Sequence, residues 1–193
     1  MSLRFATSNR HKFGEAKSIL NGYGIKIEHL NLAIDELRNE SCARVAEASV
    51  KIAHSRARKP LFVEDSGLFV RALNGFPGTY SAWAFGKIGN EGLLRLMRGV
   101  RDRRASFVSA VAYADENGVN IFEGSCEGKI SARMAGKNGF GYDPIFVPDD
   151  SHNSSQKTFA QDGALKARTS HRRRSLEKFA NWHVDYQKQK KKR

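Results

Sequence analysis

The sequence predicts an α/β fold, and three stretches carry that prediction. The first is a strand–helix–strand opening. Leu3-Arg4-Phe5-Ala6-Thr7 reads as a strand that ends in the polar turn Ser8-Asn9-Arg10-His11. A helix follows from about Lys12 to Asn21, with Phe13, Ala16, Ile19 and Leu20 on one face and Gly22 as a stop, and Ile25–Leu30 returns as a second strand. The second stretch is Leu61-Phe62-Val63-Glu64-Asp65-Ser66-Gly67, three apolar residues that read as a buried strand delivering two acids before a turn. The third is 106–125. Ser106–Ala114 carries small and apolar residues on both faces, as a fully buried strand does, Glu116-Asn117-Gly118 is a hairpin signal, and Val119–Ser125 is the return strand.

The remaining elements follow in order. A helix capped near Ser41 turns Val45, Ala48, Ile52 and Ala53 inward, and the basic patch Arg56-Ala57-Arg58-Lys59 leads through Pro60 into the acid-bearing strand. Asn74–Ala82 is a turn-rich loop, Glu91–Met97 is helical, and Arg101–Arg104 is a solvated charged loop. Gly128–Ser131 adds a short strand, Asp149–Gln161 is a polar loop, and Leu176–Tyr186 forms a final helix with Leu176, Phe179, Ala180 and His183 at helical spacing.

A chain of 193 residues with 40% apolar content can bury a sizeable core, as one domain or as two lobes sharing a sheet. There is no internal repeat. The expected organisation is a single domain of two lobes over 1–187 and a basic tail over 188–193, read as a frayed, solvated end. The net charge of +13 invites anionic partners, and Lys188, Lys190, Lys191, Lys192 and Arg193 supply part of it. Cys42 and Cys126 have no metal-ligand or disulfide spacing, which suits a reducing compartment. No apolar signal core opens the sequence and no window is long enough to span a bilayer, so a cytoplasmic, soluble protein without a membrane partner is expected.

Adjacent acids at a strand end suit a hard cation such as Mg²⁺, which takes oxygen ligands and keeps several waters. The bland alternative is an acidic turn in water. Strand, polar loop and helix N-terminus over Thr7, Ser8, Asn9, Arg10, His11 and Lys12 make a phosphate-binding arrangement, with backbone N–H groups, the helix dipole and the Lys12 charge aimed at an anion. Many such turns bind nothing. In Gly136–Phe146, glycines let the backbone approach a planar ligand, aromatics can stack on it, and Asp143 can accept hydrogen bonds from a base edge; core aromatics beside a bulged strand are the competing reading. His171-Arg172, in the basic run Lys166–Arg174, can read a purine edge, because a guanidinium forks onto carbonyl and ring-nitrogen acceptors.

Four motifs in this order resemble the inosine triphosphate pyrophosphatase family over nearly the whole chain. Thr7-Ser8-Asn9-x-x-Lys12-x-x-Glu15 is similar to its phosphate motif, and Glu64-Asp65-Ser66-Gly67-Leu68 with Gly75-x-Pro77-Gly78-x-Tyr80-Ser81 to its catalytic segment. Gly139-Phe140-Gly141-Tyr142-Asp143-Pro144-Ile145-Phe146 and Ser170-His171-Arg172 are similar to its base-recognition segments. The resemblance implies a long twisted mixed β-sheet flanked by helices, two lobes with the cleft between them, and a homodimer. It implies hydrolysis of ITP, dITP and XTP to the nucleoside monophosphate and pyrophosphate, which keeps inosine and xanthosine out of DNA and RNA.

For the site, the resemblance implies that Thr7 to Lys12 and Ser66 hold the triphosphate. Glu36 and Asp65 bind one or more Mg²⁺ ions, with Mn²⁺ an alternative, and Asp65 is also the general base assisted by Glu64. Phe140, Gly141, Tyr142, Asp143, Lys166, His171 and Arg172 surround the purine. Gln161 stands where the family has Glu, Ala167 where it has Asn, Ser8 where many members have Gly, and Ser49 where a Lys is common, with Lys51 close by as a substitute. Nucleic acid is not expected as a specific partner, although clustered Lys and Arg leave a nucleotide- or RNA-binding protein with weakened catalysis as the alternative.

Overall fold

The structure, a computed structural model, describes residues 2–32, 34, 37, 39–151 and 153–190. It is a mixed α/β fold: seven strands in one sheet, flanked among the described residues by five α-helices. Six strands run in the order β2-β1-β3-β5-β6-β7, and β4 pairs with β3 off that path. Packing divides the chain into two units. One comprises Met1–Asp65, Ser109–Gly124 and Arg172–Arg193, and the other Ser66–Val108 and Ser125–His171.

In the first unit, β1 (Leu3–Ala6) is flanked in parallel by β2 (Ile27–Leu30) and by β3 (Leu61–Val70), with Phe5 level with His29 and Phe62. Helix α1 (Arg10–Asn21) connects β1 to β2. It stops where expected, but the left-handed residue that turns the chain is Gly24 (φ +70°), not Gly22. Helix α2 (Cys42–Ala57) begins at Ser41, whose hydroxyl accepts from the Arg44 N–H, and brings the chain back to β3. The core is aromatic. Phe5 stacks on Phe62 at 4.4 Å, and Phe179 and Tyr113 close over them.

The long strands β5 (Arg104–Asp115) and β6 (Gly118–Ile130) are joined by the two-residue turn Glu116-Asn117. The separate short strand expected at Gly128–Ser131 is the continuation of β6. The final helix α5 spans His171–Lys190, longer at both ends than its apolar periodicity indicated. Its last turn is held because Lys190 bonds Asp115 and Glu116, and the Tyr186 hydroxyl donates to Asp115 at 2.6 Å. Helical structure therefore continues into the stretch expected to fray.

In the second unit, β4 (Pro77–Gly78) lies antiparallel on β3, Leu68 level with Gly78. Helix α3 (Ser81–Leu96) takes in the expected helix at Glu91 and starts ten residues earlier, with a break at Gly89 (φ 58°, ψ −165°) that the alternation of apolar residues does not signal. Strand β7 (Phe146–Pro148) is antiparallel to β6, and α4 (Gly163–Thr169) is a short helix capped by Asp162 that the basic composition of this stretch concealed. Leu68, Leu93, Met97, Phe107, Phe146 and Phe159 form the core. Each unit holds one buried cysteine outside any disulfide, Cys42 in the first and Cys126 in the second.

Candidate active site

Buried carboxylates need partners, and Glu64 has several. Lys12, in the first turn of α1, places Nζ 3.0 Å from Glu64 Oε2 and also donates to the Glu64 carbonyl. Arg172, in the first turn of α5, places Nε 3.1 Å from Glu64 Oε1 and Nη1 2.6 Å from Glu15 Oε2. The Ser109 hydroxyl donates to Glu64 Oε1 at 2.7 Å and shares a 2.9 Å bond with Ser175. Neither the Glu64 nor the Arg172 side chain is more than 3% exposed. A charge so deep survives only with counter-charges and donors around it, and here it has both.

Asp65 follows Glu64 in β3 and is equally buried, at 8% exposure. Its neighbour is Cys42, at the start of α2. Burial pushes the Cys42 thiol up, and so do the charge of Asp65, a hydrogen bond with it and the charge of Glu64, while Lys12 pulls the other way. The thiol therefore stays protonated beside the carboxylate. Ser66 is the next residue of β3 and is half-buried. Glu36 lies outside the described residues, and among those described no group of three His, Cys, Asp or Glu side chains is arranged around a common point for a metal.

The turn over Thr7 to Lys12 is organised by a helix cap. Asn9 caps α1, its Oδ1 accepting from the N–H groups of His11 and Lys12 at 2.9 and 3.1 Å, and its own N–H donates to Thr7 Oγ1. Two first-turn amides expected to face an anion are thus occupied by a side chain. Ser8, Arg10 and His11 are exposed beside it, and Thr7 is half-buried. Ser49 is on the buried face of α2, whereas Lys51 is exposed and pairs with Glu47 at 2.6 Å.

The residues expected around a purine, other than Arg172, lie in the second unit. Asp143 Oδ2 accepts from Lys166 Nζ at 2.6 Å and from the Phe140 N–H at 2.7 Å, and Lys166 Nζ sits 4.5 Å from the centre of the Phe140 ring. Gly139 permits this (φ +75°), since a Cβ there would fall 2.1 Å from Asp143 Oδ2. The Gly141 carbonyl accepts from Asn90. His171 stacks on Phe107, centroids 4.5 Å apart and planes 11° from parallel.

Two expectations change. Tyr142 is a core residue: it meets Phe85 edge-on, donates to the Ser81 carbonyl, and burial pushes its phenol up to about 12. Arg172 was expected to fork onto a purine edge, but its Nε and Nη1 are engaged by carboxylates of the first unit. Sequence reading missed Ser109, Ser175, Cys42 and Phe107, and it quoted Glu15 without giving it a role. Only Glu15 had a usable signal, one helical turn beyond Lys12.

A strand delivering a buried acid pair beside a capped βα loop and a basic side chain defines an α/β protein built to handle a polyanion. The family model for the Ham1 family matches residues 3–182, and the chain belongs to that family. It is 44% identical over 185 residues to the dITP/XTP pyrophosphatase of Methanopyrus kandleri, covering 95% of this chain and 96% of that one. It is 42% identical over 183 residues to the dITP/XTP pyrophosphatase of Thermococcus kodakarensis, covering 94% and 97%. The structure of the Staphylococcus aureus Ham1 protein superposes with a TM-score of 0.82 at 28% identity, over 96% of this chain and all of that one. Among the described residues no helix is long and apolar enough to cross a membrane.

Proposed function

We propose that this chain is a hydrolase that converts the non-standard purine triphosphates dITP, ITP and XTP to the nucleoside monophosphate and pyrophosphate. The observation that carries the reading is the Glu64–Asp65 step: Glu64 is engaged by Lys12, Arg172 and Ser109, and the adjacent buried carboxylate, Asp65, is the acid we assign to take a proton. Membership of a family whose relatives bear that activity in their names supports the substrate class.

Asp65 orients a water and accepts its proton as the water oxygen bonds to the α-phosphorus. The bond from the α-phosphorus to the bridging oxygen breaks, and pyrophosphate leaves with that oxygen. Lys12 offsets charge on the polyphosphate where it accumulates. Asp65 is a hard oxygen donor that fits Mg²⁺, which needs one or two protein carboxylates and fills its remaining positions with water and substrate oxygens. Glu36 is the second ligand by resemblance. Bound there, Mg²⁺ would neutralise phosphate charge and favour ionisation of water.

The purine is read by Phe140, Lys166 and His171, with Asp143 holding Lys166 in place. Lys166 donates to the 6-carbonyl shared by inosine and xanthosine. Adenosine presents a donor there and leaves the site's own donor unpaired, which costs on the order of 10⁴-fold in a polar site. We place the protein in the cytoplasm as a homodimer. Exposed Phe76, Tyr80 and Trp83, near one another in sequence, support self-association, which sedimentation would test.

The test is pyrophosphate release from dITP, ITP, XTP, ATP and GTP with Mg²⁺ and with EDTA. Metal-dependent turnover favouring the first three is expected. Equal turnover of all five would remove the base selectivity, and none with any of them would overturn the activity.

A further inference from the structure

One groove in the first unit lies away from Asp65. It has a volume of ≈ 830 Å³ and opens at the start of β1 and the entry to β3, whereas Asp65 and the phosphate loop follow the far ends of those parallel segments. Arg4, Lys26 and Lys59 line it, with Glu28 the carboxylate among its lining residues. Among the described residues these three cations have no ion-pair partner, and Lys26 and Lys59 are exposed. Helices α1 and α2 end at this rim, and each C-terminus carries roughly half a negative charge, less in total than three full cations supply.

Two further observations point to a ligand. His183, 7% exposed, forms part of the lining, and its Nδ1 has no hydrogen-bond partner. The half-buried ring of Tyr23 supplies an aromatic surface beside the cations. The groove wall also includes Lys188 and Lys190, and the sequence continues directly from them as Lys191-Lys192-Arg193.

We propose that this groove binds single-stranded nucleic acid without sequence preference. Cations that follow a phosphate backbone beside an aromatic that accepts a stacked base are the two components such sites need. Polyanion binding of this kind is salt-dependent, with affinities of about 10⁻⁴–10⁻⁶ M at physiological salt. The inference does not rest on the pyrophosphatase reading, because none of these residues belongs to the Asp65 cluster. It also moves the basic signal of the chain from Arg172 and Arg173, which are paired with carboxylates, to the opposite end of β1 and β3.

The experiment is fluorescence anisotropy of the full chain with labelled oligothymidylate of about 12 nucleotides over a salt series. The Lys26→Glu/Lys59→Glu variant is compared with Arg98→Glu/Arg101→Glu, an equal charge change in the second unit. Expected are at least tenfold weaker binding and a shallower salt slope, by about two, for the groove variant alone, with its rate of nucleotide hydrolysis unchanged. Three results would overturn the proposal: no strand binding at about 50 mM salt, equal weakening by both variants, or displacement of the strand by inorganic pyrophosphate at low concentration. The last would put the strand at the Asp65 end.

Discussion

Arg172 and Glu64, 108 positions apart in sequence, meet in a buried ion pair with Nε 3.1 Å from Oε1. The pair ties the first turn of α5 to the middle of β3 and sets a cation against a carboxylate that is shut off from water. It also distinguishes the two neighbouring acids: Glu64 is engaged by Lys12, Arg172 and Ser109, whereas Asp65 lies against Cys42.

Removing Arg172 should therefore cost stability first. Arg172→Ala takes away the cation paired with Glu15 and one of the two cations paired with buried Glu64, and should destabilise by about 3–5 kcal/mol, read as a drop in the urea midpoint at constant slope. A loss under about 1 kcal/mol would mean the pair behaves like a solvated surface bridge.

Asp65→Asn should do the reverse. We expect kcat to fall about 10²-fold or more, with the unfolding midpoint little changed. Glu64→Gln should lower both, because Lys12 and Arg172 would then face a neutral group. If Asp65→Asn keeps near-normal turnover, another group takes the water's proton.

Gly67→Ala tests the close approach of β4 to β3. A Cβ at Gly67 would lie 2.1 Å from the Gly78 carbonyl oxygen and 2.5 Å from its carbon, both backbone atoms that cannot rotate away. Strain of this kind costs about 1–3 kcal/mol, to be measured by thermal melting. A neutral substitution would show that β4 moves aside readily.

His183 should make stability depend on pH. Burial lowers its affinity for a proton, with Lys190 acting in the same direction and Asp115 opposing. The unfolded chain takes up that proton near pH 6.5 and the folded chain only lower. The unfolded state thus holds more protons in the interval, so this contribution is complete above about pH 6.5 and is lost as pH falls toward the depressed folded value. Melting temperatures between about pH 7.5 and pH 5.5 should fall less in His183→Gln than in the parent. Parallel curves would assign the dependence to other groups.

Local pattern made much of this molecule readable. The strand before Thr7, the Asn9–Lys12 turn, the Ser41 cap and the Glu116-Asn117 turn all rest on residues within a few positions of each other, where period and capping chemistry act. What stayed hidden depends on distant pairs. Nothing near Arg172 announces Glu64 or Glu15, and nothing near Ser109 announces Ser175. Gln161 shows the same limit at short range. Its side-chain oxygen accepts from the Thr158 N–H while its own N–H donates to Thr158 Oγ1, so an amide closes the turn as a carboxylate would, and the departure from Glu leaves this local contact in place.

Cys42 and Cys126 are each 2% exposed, one in each unit. A thiol so enclosed reacts only when the structure around it opens, so its modification rate is a clock for that opening. The unaltered protein therefore carries two such clocks. Timing both with one thiol reagent under native conditions would tell whether the halves loosen in concert or one before the other, with no label or substitution introduced.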